Sequence, residues 1–371
     1  MANSDILKLS EDGKTVIGVK DRWSVKSITI PDGVTVIGDG AFKDCSSLQS
    51  IDIPNSVTEI GSEAFEYCSS LQSIDIPNSV TKIGIGAFGF CSSLQSIDIP
   101  NSVTKIGIDA FGECSSLRSI DIPNSVTEIE QRTFCCCFSL QSIYIPDSVT
   151  EIGWGSFECC FSLQSIYIPD SVTKIGCEAF RECSSLQSID IPDSVTVIGN
   201  LAFEDCASLQ SIDVSNDNKH FASVNGVLFD KELTVILRFP QKHDVKEYVI
   251  PDNVTKIGER AFSGCSTIQI IDIPESVIKI GCDAFSGSSS LQIIDIPNSV
   301  TYIGDEAFAH CSSLEHIYLH CNDVKRIMVG WDIFEKVDFD KCILHVPSGT
   351  RWAYRHHDVF KRFKNIVTTG F

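Results

Sequence analysis

Cysteine and histidine are the most conspicuous chemical groups of this sequence, with 17 cysteines and 8 histidines among 371 residues. His320 and Cys321, together with Cys342 and His345, offer nitrogen and sulfur ligands of the kind that zinc prefers. Structural zinc sites usually carry paired C-x-x-C signatures, which this set lacks, and His345 lies in an apolar alternating run. We therefore expect no metal site and no other cofactor.

Catalytic motifs are the next chemistry to consider. The sequence contains no Walker loop, no G-x-G-x-x-G fingerprint, no nucleophile elbow and no H-E-x-x-H pair. The histidines avoid the repeated part of the chain almost entirely, so that no serine or cysteine nucleophile has an obvious general base. We predict that the protein is not an enzyme.

Charge and hydrophobicity exclude further classes of function. Asp and Glu number 49 against 29 Lys and Arg, giving a formal net charge of −20, and 43% of the residues are hydrophobic. Such a chain can bury a core, and its acidic surface would repel the phosphates of a nucleic acid. No apolar run approaches the roughly 20 residues that span a bilayer, so we expect no membrane insertion. Residues 1–14 are polar and lack the apolar core of a signal peptide.

A period of 23 residues determines where these side chains are placed. Prolines and phenylalanines both recur at this step: Pro31, Pro54, Pro77, Pro100, Pro123, Pro146, Pro169, Pro192, and Phe42, Phe65, Phe88, Phe111, Phe134, Phe157, Phe180, Phe203. Both series resume from Pro251 and Phe262, in phase with each other. A fixed period in the range of 20 to 50 residues indicates a solenoid, here of about 12 or 13 turns.

Each unit predicts the same short elements. Residues 48–53 carry the L-x-x-I-x-I spacing of a strand with one buried face, and Pro54 turns the chain. Ala64, Phe65 and Cys68 have the spacing of one helical turn laid over the core. Stacked units therefore predict parallel strands roughly 4.8 Å apart, with continuous apolar ladders between them.

Most cysteines occupy one position of this unit. They are Cys45, Cys68, Cys91, Cys114, Cys137, Cys160, Cys183, Cys206, Cys265 and Cys311, and Ser288 takes the place once. Identical positions give parallel rather than converging Cβ vectors, which disfavours disulfides between turns. We predict thiols that pack as small hydrophobic residues.

The repeated pattern IPxSVTxIGxxAFxxCSSLxSI resembles the leucine-rich repeat of the BspA-like, or Treponema pallidum, type. The run from Cys342 to Thr350, followed by FKRFKNIV, is similar to the closing segment of Bacteroides-type members. The resemblance implies a non-enzymatic surface or secreted protein that adheres to host matrix proteins or to other cells. Because the chain shows no export signal, a cytoplasmic location is the alternative.

The fold prediction is an α/β leucine-rich-repeat solenoid of 23-residue units with short parallel strands, capped at both ends. Residues 1–30 are predicted to form a β-hairpin cap with a turn at Asp12-Gly13, and residues 31–322 the solenoid. An extended repeat at about 216–250 contains a predicted hairpin over residues 224–239. Residues 323–371 are predicted to form a C-terminal cap with a basic helix over residues 351–363. We expect a monomer.

Differences between repeats indicate where a partner would bind. The outward residue between the two buried isoleucines is Asp in most units, as at Asp121 and Asp190, but it is Tyr at Tyr144 and Tyr167. Like charges on neighbouring strands repel, so the aspartate column either binds basic segments or cations or persists because solvent screens it. Tyrosine is enriched in binding hot spots, and strand parity places both tyrosines outward.

Aromatic residues cluster in the same two units. Phe138 and Phe161 follow the ladder cysteine, and Trp154 replaces a smaller residue. The two phenylalanines either join an exposed patch or turn inward to fill the core. The predicted partner surface consists of Tyr144, Tyr167, Asp121, Asp190, Phe138, Phe161 and Trp154. Its predicted ligand is a matrix or cell-surface protein, with carbohydrate as the alternative.

Overall fold

The structure is a computed structural model that describes residues 6–370. The chain divides into two compact units, Met1–Cys206 and Ala207–Phe371, which are treated in turn. The first five residues of the predicted N-terminal hairpin cap lie outside the described residues, as does Phe371.

Unit 1 consists of short strands joined by turns. The strands are β1 (Leu7–Leu9), β2 (Thr15–Val19), β3 (Ser27–Thr29), β4 (Val36–Ile37), β5 (Ser50–Asp52), β6 (Glu59–Ile60), β7 (Lys82–Ile83), β8 (Lys105–Ile106), β9 (Ser119–Asp121), β10 (Glu128–Ile129), β11 (Ser142–Tyr144), β12 (Glu151–Ile152), β13 (Lys174–Ile175), β14 (Ser188–Ile191) and β15 (Val197–Ile198).

The strands of unit 1 pair in parallel with a step of one repeat. Glu59 of β6 lies opposite Lys82 of β7, and Ser119 of β9 lies opposite Ser142 of β11. One sheet has the order β1-β2-β4-β6-β7-β8, and a second has the order β10-β12-β13-β15. The predicted N-terminal hairpin is present, because β1 and β2 pair antiparallel across the turn at Gly13.

Glycine recurs after the second strand of each turn because the turns approach closely there. A Cβ on Gly107 would lie 2.6 Å from the carbonyl carbon of Gly84, closer than real Cβ contacts allow. Glu130 occupies this position once, and there the sheet divides between β8 and β10.

The predicted helical turn is wrong. Around Phe65 the chain forms consecutive turns in which Glu63 and Tyr67 have positive φ values of 54° and 62°. Their N–H groups donate to the carbonyls of Ile85 and Gly89 in the next turn, not to a carbonyl four residues back. A residue in the left-handed region interrupts an α-helix, so a ladder of hydrogen bonds between turns replaces it.

Unit 2 has the same construction with longer strands. They are β16 (Ser211–Val214), β17 (Phe221–Val224), β18 (Val227–Asp230), β19 (Val235–Arg238), β20 (Glu247–Val249), β21 (Lys256–Ile257), β22 (Ile270–Asp272), β23 (Lys279–Ile280), β24 (Ile293–Ile296), β25 (Tyr302–Ile303), β26 (His316–Leu319), β27 (Met328–Val329), β28 (Ile343–Pro347) and β29 (Asn365–Thr369).

The inserted residues of unit 2 are part of its sheet. Strand β18 pairs antiparallel with both β17 and β19, and the second of these hairpins has its turn near Lys231. Strand β19 then pairs in parallel with β21, with Val235 opposite Lys256. The second sheet of the unit has the order β20-β22-β24-β26-β28-β29.

Helix is nearly absent, which corrects the α/β part of the fold prediction. Among residues 6–370 the single α-helix is α1, Arg351–Arg355, and the 3-10 helices are Val324–Arg326 and Phe360–Arg362. The predicted basic helix thus stops early, since the chain turns back so that buried Tyr354 meets Phe360 edge-to-face. The domain boundaries and the capping role of the end segments stay predictions.

The core is a set of ladders in which each turn repeats the contact of the last. Phe42, Phe65, Phe88 and their successors to Phe203 stack with ring centroids 5.2 to 5.9 Å apart. In unit 2 the series runs Phe239, Phe262, Phe285, Phe308, Phe334. The chain is therefore a leucine-rich-repeat β-solenoid, with about 15 turns. This exceeds the number expected from the period, because β2, β19 and β29 also join the ladders.

Candidate recognition surface

Two tyrosines form the largest interruption of the aspartate column in unit 1. Tyr144 ends β11 and is 53% exposed, and Tyr167 is 64% exposed. Buried isoleucines flank Tyr167 on both sides, Ile166 and Ile168, so the tyrosine must face solvent. Within the part of the chain that the structure describes, the two rings do not stack on each other. More than half of each side chain is therefore exposed.

Exposed aspartates border the tyrosines. Asp121 of β9 lies directly opposite Tyr144 of β11 in the parallel register, and Asp190 is exposed on β14. Asp75 and Asp98 lie opposite each other further along the column. Neighbouring carboxylates on parallel strands raise the local negative potential, and a cationic group placed between them would relieve the repulsion.

Phe138 and Phe161 lie at the surface and do not fill the core. They are 37% and 39% exposed, and their rings stack with centroids 5.0 Å apart and planes 5° from parallel. The inward alternative for these residues is therefore wrong. The stack protects one face of each ring, which leaves an apolar strip across two turns.

Trp154 belongs to a charged network in unit 1. It is 39% exposed, and the Arg132 guanidinium lies over its ring at 5.8 Å from the centroid. Arg132 also contacts Glu158, whose other oxygen accepts a hydrogen bond from Arg181 at 3.2 Å. These contacts fix the position of the indole, and the charged groups around it are paired with one another.

The ladder thiols have a defined hydrogen-bonding role. From Cys68 to Cys206 each thiol donates to the phenylalanine carbonyl of the preceding turn, over 3.1 to 3.3 Å. Ser288 makes the same bond to the Phe262 carbonyl at 2.8 Å. The position therefore requires a small side chain that can also donate, which the sequence alone did not reveal.

Three cysteines outside the ladder, Cys135, Cys136 and Cys159, lie close to carboxylates. The Cys159 thiol is 3.5 Å from Glu182 Oε2, and the thiols of Cys135 and Cys136 are 3.5 Å apart. Burial raises the pKa of Cys135 to about 12 and that of Cys159 to about 12. At neutral pH these groups are thiols, which are poor nucleophiles.

The four ligands considered for zinc do not meet at one point. The Cys321 thiol donates to the Asp323 carbonyl at 3.0 Å, and His320 Nε2 lies 2.6 Å from Asp295 Oδ1. His345 Nε2 instead lies 3.0 Å from His316 Nδ1. Over residues 6–370, no group of three or more His, Cys, Asp or Glu side chains could hold a metal ion.

Sequence reasoning missed two aromatic features. Tyr67 and Phe90, adjacent along one position of the repeat, stack at 4.5 Å on the surface of unit 1. In unit 2 the ring of Tyr318 stacks on His345 at 4.2 Å. The first pair could have been found by searching each repeat position for consecutive rings. The second could not, because His345 lies beyond the repeated 23-residue pattern and meets Tyr318 only through the pairing of β26 with β28.

Known proteins share this architecture. The family profile described as BspA type leucine rich repeat region matches residues 20–137, 105–225 and 238–345. A leucine rich cell surface protein from Faecalibacterium prausnitzii is 29% identical, with a TM-score of 0.68 over 98% of this chain and 93% of its own. A leucine-rich repeat protein from Bacteroides ovatus is 28% identical, with a TM-score of 0.67 over 98% and 97%. The pneumococcal vaccine antigen PcpA is 25% identical, with a TM-score of 0.61 over 92% and 78%.

These matches and the ladders define a leucine-rich-repeat scaffold. The chain belongs to the BspA-type leucine-rich repeat family, as its repeated pattern predicted. No curated protein sequence matches it. In residues 6–370 no helix has both the length and the apolar character needed to cross a membrane.

Proposed function

We propose that this chain is a non-enzymatic, adhesin-like scaffold that binds a partner protein through the strand face of unit 1. Tyr144 and Tyr167 are the anchors in this proposal, and Asp121 and Asp190 complement basic groups of the partner. The observation that carries it is the exposure of two neighbouring tyrosines in the middle of an acidic column.

A partner protein would gain aromatic contact area and charge complementarity on this surface. Tyrosine offers a large amphipathic contact area with little loss of side-chain freedom, and it is enriched in hot spots. Lysine or arginine from the partner would lie between neighbouring carboxylates and relieve their repulsion. Phe138, Phe161 and Trp154 extend the proposed surface in the same two turns.

We also propose that the protein is located at the cell surface or is secreted. The similar protein from F. prausnitzii is described as a cell surface protein, and the similar pneumococcal protein as a vaccine antigen. A partner in that location would be a matrix protein or a protein of another cell.

Carbohydrate is the second candidate ligand. Tyr144 and Tyr167 are more than half exposed, and aspartates and serines such as Asp121 and Ser142 border them. Sugar rings can lie on such aromatic faces while their hydroxyls bond the carboxylates. A glycan array separates this ligand class from a protein partner.

The test compares two double variants in surface plasmon resonance against purified extracellular-matrix proteins. Replacement of Tyr144 and Tyr167 by Ser should reduce affinity at least about ten-fold, since hot-spot residues typically contribute about 2 kcal/mol or more. Replacement of Tyr67 and Phe90 by Ser removes an exposed aromatic pair elsewhere and should leave affinity unchanged. Equal loss in both variants, or loss in neither, would refute the proposed surface.

A further inference from the structure

Unit 2 contains a surface pocket that the recognition surface does not include. Its volume is about 280 Å³, and it is lined by Lys256, Glu259, Lys279, Gly281, Cys282 and Tyr302. Because water occupies about 30 Å³ in the liquid, this space can hold a ligand of several heavy atoms. Three of the lining residues lie in one column of a parallel sheet, on strands β21, β23 and β25.

The register places two positive charges side by side. Lys256 lies directly opposite Lys279, and Lys279 lies opposite Tyr302. Neighbouring strands are about 4.8 Å apart, and like charges directly opposite each other are destabilising. Neither lysine has a carboxylate within 4.0 Å among residues 6–370.

Unit 1 contains the same lysine pair in a neutralised form. Lys82 lies opposite Lys105, in the equivalent column of its sheet. Lys82 Nζ is 2.5 Å from Glu59 Oε1, and Lys105 Nζ is 3.7 Å from Glu130 Oε1. Lysines of this column are thus normally compensated in a chain with a net charge of −20, and those of the pocket are the exception.

The remaining lining groups can donate to an anion. The Tyr302 phenol donates a hydrogen bond to Cys282, which raises the pKa of Tyr302, and the same O–H can turn to an anion in the pocket. Lysine ammonium groups carry three donors each, and the phenol and thiol one each. Gly281 is buried at the wall, where a Cβ would lie 2.7 Å from the Glu259 nitrogen, so the wall cannot carry a side chain without movement.

We propose that this pocket binds an oxyanion, the phosphate or sulfate group of a small ligand. The anion lies between Lys256 and Lys279 and accepts the hydrogen bond that Tyr302 otherwise donates to Cys282. Glu259 opposes the charge of the anion, limits the affinity and favours ligands that carry a hydroxyl or ammonium group beside the anionic one. The site does not include the tyrosines of unit 1, so the oxyanion site and the partner-binding surface can be tested separately.

The experiment is isothermal titration calorimetry of the full chain with inorganic phosphate, inorganic sulfate and sodium chloride at matched ionic strength. We expect saturable binding with one site for phosphate, sulfate or both, and none for chloride. Binding of one oxyanion alone assigns the group that the natural ligand carries. Failure of both, or an equal effect of chloride, would overturn the proposal.

Variants locate the binding in this pocket. Lys256→Gln and Lys279→Gln should each weaken binding about ten-fold or more, the effect of one charge-assisted hydrogen bond. Glu259→Gln should strengthen it, by up to about ten-fold for removal of one opposing charge. Lys82→Gln, the matched change in the compensated pair, should have no effect. If Lys82→Gln weakens binding as much as Lys279→Gln, the anion is held by diffuse charge and the proposed site is wrong.

These side chains are exposed, so their replacement should not unfold the chain. Far-UV circular dichroism of each variant checks this point. Should Lys256→Gln alone disturb the fold, the comparison of Lys279→Gln with Lys82→Gln still decides the question, because both changes remove one lysine charge from equivalent columns and only the first lies in the pocket.

Discussion

Replacing one ring of the phenylalanine ladder should destabilise the solenoid more than burial of that ring alone would predict. Phe111 is fully buried and stacks on Phe88 at 5.4 Å and on Phe134 at 5.7 Å. A core Phe→Ala change usually costs about 3–5 kcal/mol. Each lost ring pair adds about 0.5–1.5 kcal/mol beyond burial. Phe111→Ala should therefore lower the free energy of unfolding by about 4–8 kcal/mol.

The control is a ring of the same type that has one partner and lies at the surface. Phe138 is partly exposed and, among residues 6–370, its ring stacks on Phe161 alone. Phe138→Ala should cost about 1–2 kcal/mol, one ring pair plus partial burial. Urea denaturation followed by far-UV circular dichroism under reducing conditions measures both values.

Hydrogen exchange adds a spatial test. In a solenoid each turn contacts its neighbours, so the weakened interface should speed exchange first in the turns of Phe88 and Phe134. If Phe111→Ala and Phe138→Ala lose the same free energy within about 0.5 kcal/mol, the additivity limit for distant sites, the ladder does not carry the stability assigned to it. Exchange that rises evenly over unit 1 would contradict the nearest-neighbour reasoning.

Three further outcomes are expected. Cys91→Ala should lower the free energy of unfolding by about 1–2 kcal/mol, because the hydrogen bond and the sulfur are lost. Cys91→Ser should lower it less, because Ser288 makes the same hydrogen bond in its own turn. Urea denaturation measures both values. The pKa of His345 is lowered in the folded state by burial and then by a neighbouring imidazole, so stability should fall as pH drops below about 6.5, where the unfolded chain takes up the proton first. His345→Gln should reduce this fall between pH 7.5 and 5.5, and an unchanged slope would rule the histidine out. Gly107→Ala places a methyl group against Gly84 and should cost about 1–3 kcal/mol in thermal unfolding.

The period predicted the ladders because each position repeats one physical requirement. Phe65 and Cys68 are buried in the same way in every turn, so that identity of sequence implies identity of contact. The period did not distinguish a helical turn from the hydrogen-bonded turns that replace it, since both bury residues i, i+1 and i+4. A signal was present, however: Gly40, Gly86 and Gly155 recur at the position of Glu63, where φ is positive. Glycine recurring at one place predicts a left-handed residue.

The exposure of a candidate site residue could be predicted from the sequence only where it follows from one position of the repeat. The exposure of Tyr144 and Tyr167 follows from strand parity, and the sequence predicted it; their role in binding stays a proposal. The inward alternative for Phe138 failed because the position after the ladder cysteine lies at the surface, which spacing alone does not specify. Stacking with Phe161 then gave the exposed rings a partner.

The two lysine pairs show why composition and period cannot find a charged site. By sequence, Lys82 with Lys105 and Lys256 with Lys279 are equivalent, each one repeat apart in the same column. The difference lies in what surrounds them: Lys105 reaches Glu130, which stands where other turns need glycine, at the point where the sheet divides. Lys82 in turn pairs with Glu59 on the preceding strand. In unit 2 the position of Glu130 is Gly304 and that of Glu59 is Val235, so neither of these carboxylates is present, and the pocket has Glu259 at its wall instead. The carboxylates at these two positions therefore neutralise the lysine pair of unit 1, and their absence leaves the lysine pair of the pocket available to an anion.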